Sequence, residues 1–248
     1  MSDERPRVAT AAIVVIGDEI LSGKFADENA VHLIGELRAL GVALRRVEVI
    51  PDDVEEIAAT VRAASARVDH VFTSGGVGPT HDDLTMAGIA RAFGVPVVRH
   101  AELERLLCGF YGAALEPRNL RMAEVPEGAT LHVGSASVWP VPQIANVYIL
   151  PGVPVIFRRQ FEVIRERFRA APFHLRRVFC RAEEGTIAAD LDAVVAGHAS
   201  VTIGSYPRFG EGAPSVLVTL EAKDERAVEE ACRALVARLP VAAVVRVE

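Results

Sequence analysis

The sequence predicts an α/β protein: a mostly parallel sheet with helices on both faces over residues 1–171, then a small α+β unit over residues 172–248. Three observations carry that expectation. Near-continuous apolar runs such as Val8–Ile16 read as parallel strands buried on both faces. The stretches between them place apolar residues three and four apart, which is the period of a helix. Strand and helix then alternate, which implies right-handed crossovers between parallel strands.

Taken in order, Val8–Ile16 is the first strand and Asp27–Leu40 the first helix, with Leu33, Ile34, Leu37 and Leu40 on one face and Gly41 as its stop. Val42–Ile50 reads as strand, Asp52–Ala66 as helix and Val68–Thr73 as strand. Asp82–Phe93 is a helix whose apolar stripe is Met86, Ile89, Ala90 and Phe93, with Gly94 past its end. Ala101–Gly112 looks helical, Pro117–Ala123 is a short helix, and residues 126–145 are loops and short strands. Val147–Leu150 is a strand, and Pro151-Gly-Val-Pro154 turns into a helix reaching about Arg169. Pro172 marks the boundary. Beyond it come strand His174–Ala182, helix Thr186–Ala196, strand Val201–Ser205 and a Gly/Pro-rich loop at Phe209–Pro214. Strand Ser215–Ala222, helix Arg226–Arg238 and strand Val241–Val247 complete a βαββαβ order, the ferredoxin-like plan.

Composition narrows the function. With 248 residues, 50% hydrophobic and 24% charged, the chain buries a real core and is not disordered. A formal charge of -6 argues against a nucleic-acid surface. Cys108, Cys180 and Cys232 are far apart, which fits a reducing compartment and neither a disulfide framework nor a thiolate zinc site. The run Val8–Ile16 follows Asp3 and Glu4 and is too short for a membrane helix or a signal peptide. The expectation is a soluble cytoplasmic protein without nucleic-acid or membrane partners.

The chemistry concentrates in Val71–Thr85, where an apolar strand leads into Gly75, Gly76 and Gly78 and then Pro79, Thr80, His81, Asp82 and Asp83. Glycines let the backbone approach a ligand, and the following helix start favours an anion. Two carboxylates beside a phosphate would repel it, and a divalent cation between them removes the conflict. Thr80 and Asp83 also stand at capping-box spacing, so both could simply start the helix.

A second loop, Ile16–Lys24, carries Asp18, Glu19 and Lys24. If its strand neighbours the glycine-loop strand, four carboxylates and one ammonium converge at a strand end, where doubly wound sheets bind ligands. Oxygen ligands favour Mg²⁺ or Mn²⁺ over zinc. The alternative is a solvated turn, with Lys24 a surface charge. Gly152, in the turn Pro151–Pro154, could present amides to the same ligand, or one proline simply opens the helix. Arg118, Asn119 and Arg121 could hold a phosphate or ring, or form a charged helix face. The histidines show no metal-ligand spacing, and neither a P-loop nor the G-x-G-x-x-G fingerprint is present.

Gly17-Asp-Glu-Ile-Leu-Ser-Gly23, together with Thr73-Ser-Gly-Gly-Val-Gly-Pro-Thr-His-Asp-Asp-Leu-Thr85, resembles the molybdopterin-binding (MoaB/Mog-like) domain family. Within it, the resemblance runs toward the domain that opens CinA proteins and the N-terminal domain of eukaryotic FAD synthase. It continues through Arg121-Met-Ala123, Ile149-Leu-Pro-Gly-Val-Pro154 and Gly204-Ser-Tyr-Pro207, and so spans almost the whole chain.

That resemblance implies a three-layer fold, a phosphorylated pterin or nucleotide ligand such as molybdopterin, FAD or ADP-ribose, and homo-oligomers. It also implies divalent-metal-dependent hydrolysis of nucleotide pyrophosphates with Mg²⁺, Mn²⁺ or Co²⁺, at matching positions Glu19, Gly75, Gly76, Gly78, Thr80, Asp82 and Asp83. Asp82, Asp83 and Glu19 would be the metal ligands and catalytic groups. One departure is that Gly134-Ser-Ala-Ser-Val-Trp-Pro-Val-Pro142 lacks the N-x-x-G-x-A-P-G segment of CinA-type pyrophosphatases, which leans the resemblance toward the FAD-synthase-like domain. The sequence ends at Glu248, and no nucleotide-transferring synthase domain is expected after it.

Overall fold

The computed structural model describes residues 8–134, 139–208 and 215–248. Asp3 and Glu4, the middle of the segment lacking the CinA-type motif (135–138), and the loop 209–214 lie outside the described residues. The chain divides into two compact units, one holding Arg7–Ala170 and the other Ala171–Glu248. No helix among the described residues is long and apolar enough to cross a membrane.

The first unit runs β1 (Thr10–Ile16), a one-turn helix α1 (Asp18–Leu21), α2 (Asn29–Ala39), β2 (Ala43–Ile50), α3 (Val54–Ser65), β3 (His70–Ser74) and α4 (Thr85–Phe93). It continues β4 (Val97–Arg99), α5 (Ala101–Tyr111), a 3₁₀ helix Pro117–Ala123, β5 (Glu124–Pro126), β6 (Thr130–His132), β7 (Val141–Ile144), β8 (Val147–Leu150) and α6 (Pro154–Ile164). The main sheet has the order β2-β1-β3-β8-β7-β6. Its first four strands are parallel and its last two pairings, β8 with β7 and β7 with β6, are antiparallel, while β4 and β5 form a separate antiparallel pair.

The continuous apolar run of β1 has a direct cause. Ala11, Ile13 and Val15 pack in one core with Leu33, Leu37, Phe157 and Phe161, while Ala12, Val14 and Ile16 pack in a second with Ile57, Val61 and Ile89. A strand covered on both faces has no polar side to alternate with. Each fully buried Phe or Ile here is worth about 1.5–3 kcal/mol of burial.

The second unit runs β9 (His174–Cys180), α7 (Glu184–Gly197), β10 (Thr202–Arg208), β11 (Ser215–Ala222), α8 (Glu225–Arg238) and β12 (Val244–Val247). Its sheet, β10-β11-β9-β12, is antiparallel throughout. In β11, Val216, Val218 and Leu220 alternate into a core with Ile187, Leu191, Val228 and Leu235 of the two helices.

Several boundaries differ from the sequence reading. The helix expected from Asp82 starts at Thr85, because the Asp83 carboxylate accepts the Gly78 and Thr80 amides and keeps the chain in a turn. The helix expected from Asp27 starts at Asn29, since Asp27 accepts the Ala30 amide at 2.9 Å as a cap. Ile34 is 42% exposed, so the buried face of α2 is Leu33 and Leu37, continued by Leu40. The last strand begins at Val244, after a 3₁₀ turn Val241–Ala243.

Candidate active site

The chain winds from β1 to β2 on one side and returns to β3 on the other side of β1. Winding therefore reverses between the ends of β1 and β3, where such sheets open a crevice. The Ile16–Lys24 loop, residues 51–53, the glycine loop and residues 151–153 all leave this carboxyl edge.

Glycine is required where these loops press together. Gly75 has φ +109°, and a Cβ there would lie 2.1 Å from the Ile16 carbonyl oxygen. Its amide donates to the Leu150 carbonyl at 3.2 Å, so it locks β1, β3 and β8 at their ends. Gly76 has φ +63°, and a Cβ there would meet the Thr85 hydroxyl at 2.4 Å. Buried Thr85 closes the turn: its hydroxyl donates to the Gly75 carbonyl at 2.8 Å and its amide to the Gly76 carbonyl at 3.0 Å. None of the described residues accepts a hydrogen bond from the Gly76 or Val77 amide.

The two aspartates of the loop divide. Asp83 accepts the Gly78 amide at 2.6 Å, the Thr80 amide at 2.7 Å and the Thr80 hydroxyl, so both of its oxygens shape the loop. Asp82 is exposed, with His81 Nδ1 at 3.8 Å. The Thr80 hydroxyl and its own backbone amide, then the His81 and Arg121 charges, hold its carboxyl below the ordinary carboxylate range.

Asp52, at the end of β2, joins this edge: its Oδ2 accepts the Asp18 amide at 3.0 Å. Burial pushes its pKa up, the Asp18 amide opposes that, and the charges of Glu19, Asp18 and Asp82 add to the rise. Four carboxylates thus share one electrostatic field, though no three His, Cys, Asp or Glu side chains among the described residues group tightly enough to hold a metal alone. An all-oxygen set in which one or two carboxylates bind directly, with phosphates and water completing the shell, fits Mg²⁺. Lys24 is exposed; its amide donates to the Glu19 carbonyl at 3.0 Å, and its ammonium makes no ion pair among the described residues.

A cleft of about 1240 Å³ in the first unit gathers much of this set: Glu19, Gly76, Gly78, Asp83 and Gly152 line it. Gly75 supports it from beneath, against Gly152, whose added Cβ would stand 3.4 Å from the Gly75 Cα. Thr80, Asp82 and Lys24 lie outside the lining. The remaining walls include Phe25, Phe110, Tyr111, Met122 and Trp139. Asn29, 3% exposed, holds the floor, donating to Ser74 Oγ at 2.9 Å and to the Gly152 carbonyl at 2.7 Å. The sequence reading did not include Asp52 or the aromatic wall, and left Arg121 between a phosphate or ring contact and a charged helix face; the Asp52 signal was its place just past the end of an apolar strand.

Residues 12–170 match the family described as probable molybdopterin binding domain. The chain belongs to that family. Residues 172–248 match the family described as FAD synthase, middle domain. A protein of Archaeoglobus fulgidus is 35% identical over 89% of this chain and 94% of its own length. A probable FAD synthase of Caenorhabditis elegans is 34% identical over 90% of this chain, which spans 49% of that protein. The crystal structure of the protein CinA, of unknown function, from Thermoplasma acidophilum is 30% identical with a TM-score of 0.60, over 65% of this chain and 98% of the other. The family match and this likeness agree with the three-layer fold and mostly parallel sheet described above.

Proposed function

We propose that the cleft binds a nucleotide pyrophosphate, FAD-like or ADP-ribose-like, and hydrolyses its diphosphate bond with the aid of a divalent cation. One observation carries the reading: the same cavity is walled by a glycine-and-carboxylate loop and by Phe110, Tyr111, Met122 and Trp139. A ligand that suits both walls is phosphorylated and also carries a flat ring. Sites for drug-sized ligands are about 300–1,000 Å³, so this cleft has room for a dinucleotide. The match of the second unit to the middle domain of FAD synthase supports the choice of nucleotide.

In this reading the Gly76 and Val77 amides bind a phosphate oxygen. Asp82, on the loop just outside the cleft lining, and Glu19, within it, would hold Mg²⁺, Mn²⁺ or Co²⁺, with Asp52 in support. The cation supplies Lewis-acid charge at the phosphoryl oxygens. Asp83, already bonded to the Gly78 and Thr80 amides, keeps the loop's shape rather than serving as a ligand. The aromatic wall stacks the ring and excludes bulk water. Water forms a new bond to one phosphorus as the bridging P–O bond breaks, and with FAD the products are AMP and FMN. In this reading Asp52, whose pKa burial raises, accepts the proton.

The family match over 12–170 favours a second reading, in which the same loop grips the single phosphate of molybdopterin and the aromatic wall takes the pterin. The test is AMP release from FAD, ADP-ribose and NAD with each of Mg²⁺, Mn²⁺ and Co²⁺. Release from any of them supports hydrolysis. No release, with molybdopterin binding intact, transfers the site to the second reading; nucleotide binding without release makes it a non-catalytic module.

A further inference from the structure

We infer that Arg121 is a second phosphate anchor that makes this a site for two linked phosphates rather than one; the inference rests on the phosphate-binding reading of the glycine loop. Arg121 lies on the 3₁₀ helix Pro117–Ala123, and its Nη1 donates to the Thr80 carbonyl at 2.6 Å across 41 residues of sequence. That bond fixes the guanidinium on the glycine loop, whose Gly78 and Thr80 amides share the Asp83 carboxylate. The next residue, Met122, lines the cleft, and Arg121 meets the glycine loop at Thr80, just outside that lining.

Arg121 is half-buried, and among the described residues no carboxylate oxygen lies within 4.0 Å of its guanidinium. Its charge reaches Asp82, whose carboxyl it helps hold down, while its bonded partner is the neutral Thr80 carbonyl. Four other donor N–H groups remain on the planar fork, a geometry suited to phosphate oxygens. The Gly76 and Val77 amides lie a few residues before Thr80 on the same loop, so amides and guanidinium offer two anion contacts along one short stretch of backbone. A ligand with one phosphate can satisfy the amides alone. A diphosphate can engage both.

The test uses Arg121→Gln, which removes the charge and the guanidinium fork on a shorter side chain, beside Arg121→Lys, which keeps the charge. Calorimetry in Mg²⁺ buffer compares inorganic pyrophosphate with inorganic phosphate on wild type and both variants. The expected result is that Arg121→Gln weakens pyrophosphate tenfold or more and phosphate by less than threefold, while Arg121→Lys recovers part of the pyrophosphate loss. Equal losses for both anions, no loss for either, or no pyrophosphate binding by wild type would overturn the inference. Selective pyrophosphate binding without AMP release from any nucleotide would sink hydrolysis and leave this anchor standing.

Discussion

The Asp52 carboxylate accepts the Asp18 amide at 3.0 Å, tying the end of β2 to the end of β1. That bond puts a third loop on the edge where the glycine loop leaves β3. It also puts Asp52 among the negative charges of Glu19, Asp18 and Asp82.

Asp52 carries a folded-state pKa above the ordinary aspartate value of 3.8, first through burial. A raised acid contributes stability below its unfolded pKa and loses it as the pH rises through the folded value. Asp52→Asn keeps an acceptor for the Asp18 amide and removes the charge. It is expected to melt higher than wild type at neutral pH, with the difference shrinking as the pH falls through 3.8. Melting curves across that range check it.

Gly75 and Gly88 separate two kinds of cost. A Cβ on Gly75 meets the Ile16 carbonyl oxygen, which is backbone, at positive φ. Gly75→Ala should cost about 3 kcal/mol or more and abolish ligand binding. A Cβ on Gly88 of α4 meets the Ile57 side chain at 2.4 Å. That change should cost about 1–3 kcal/mol, and less beside Ile57→Ala, as urea titrations would show.

Asn29→Ala removes the donor that joins α2 to Ser74 and Gly152. Buried acceptors then lose their partner, at a cost of about 1–3 kcal/mol. Amide exchange at the ends of β3 and β8 should quicken more than exchange in the second unit.

Cys108 is exposed, while Cys180 and Cys232 are buried, and burial pushes both of their thiols up. Alkylation of the folded protein should label Cys108 alone, read by mass spectrometry. Rapid labelling of Cys232 without denaturant would mean that α8 opens readily.

Much of this architecture is legible in the sequence, because β1, β3 and the glycine loop are specified locally. Two-sided burial leaves a continuous apolar run at β1, and positive φ at Gly75 and Gly76 demands glycine. The split between Asp82 and Asp83 was open in the sequence, since capping spacing suits either role; only the three bonds to Asp83 separate them. The aromatic wall could not be read, because Tyr111 and Trp139 come together by tertiary packing and obey no local period. Asp52 was hidden in the same way: the register of β2 against β1, with Ile50 beside Ile16, brings it to Asp18.

The central claim is tested most directly by initial rates of AMP release from FAD and ADP-ribose with Mg²⁺ or Co²⁺, wild type beside Asp82→Ala. Asp82 is exposed, so the variant should melt with wild type. The expected result is AMP from wild type and a loss of a hundredfold or more in the variant, as for other residues that stabilise transition-state charge (about 10²–10³). Equal rates from the two proteins, or no AMP from either, would contradict the account.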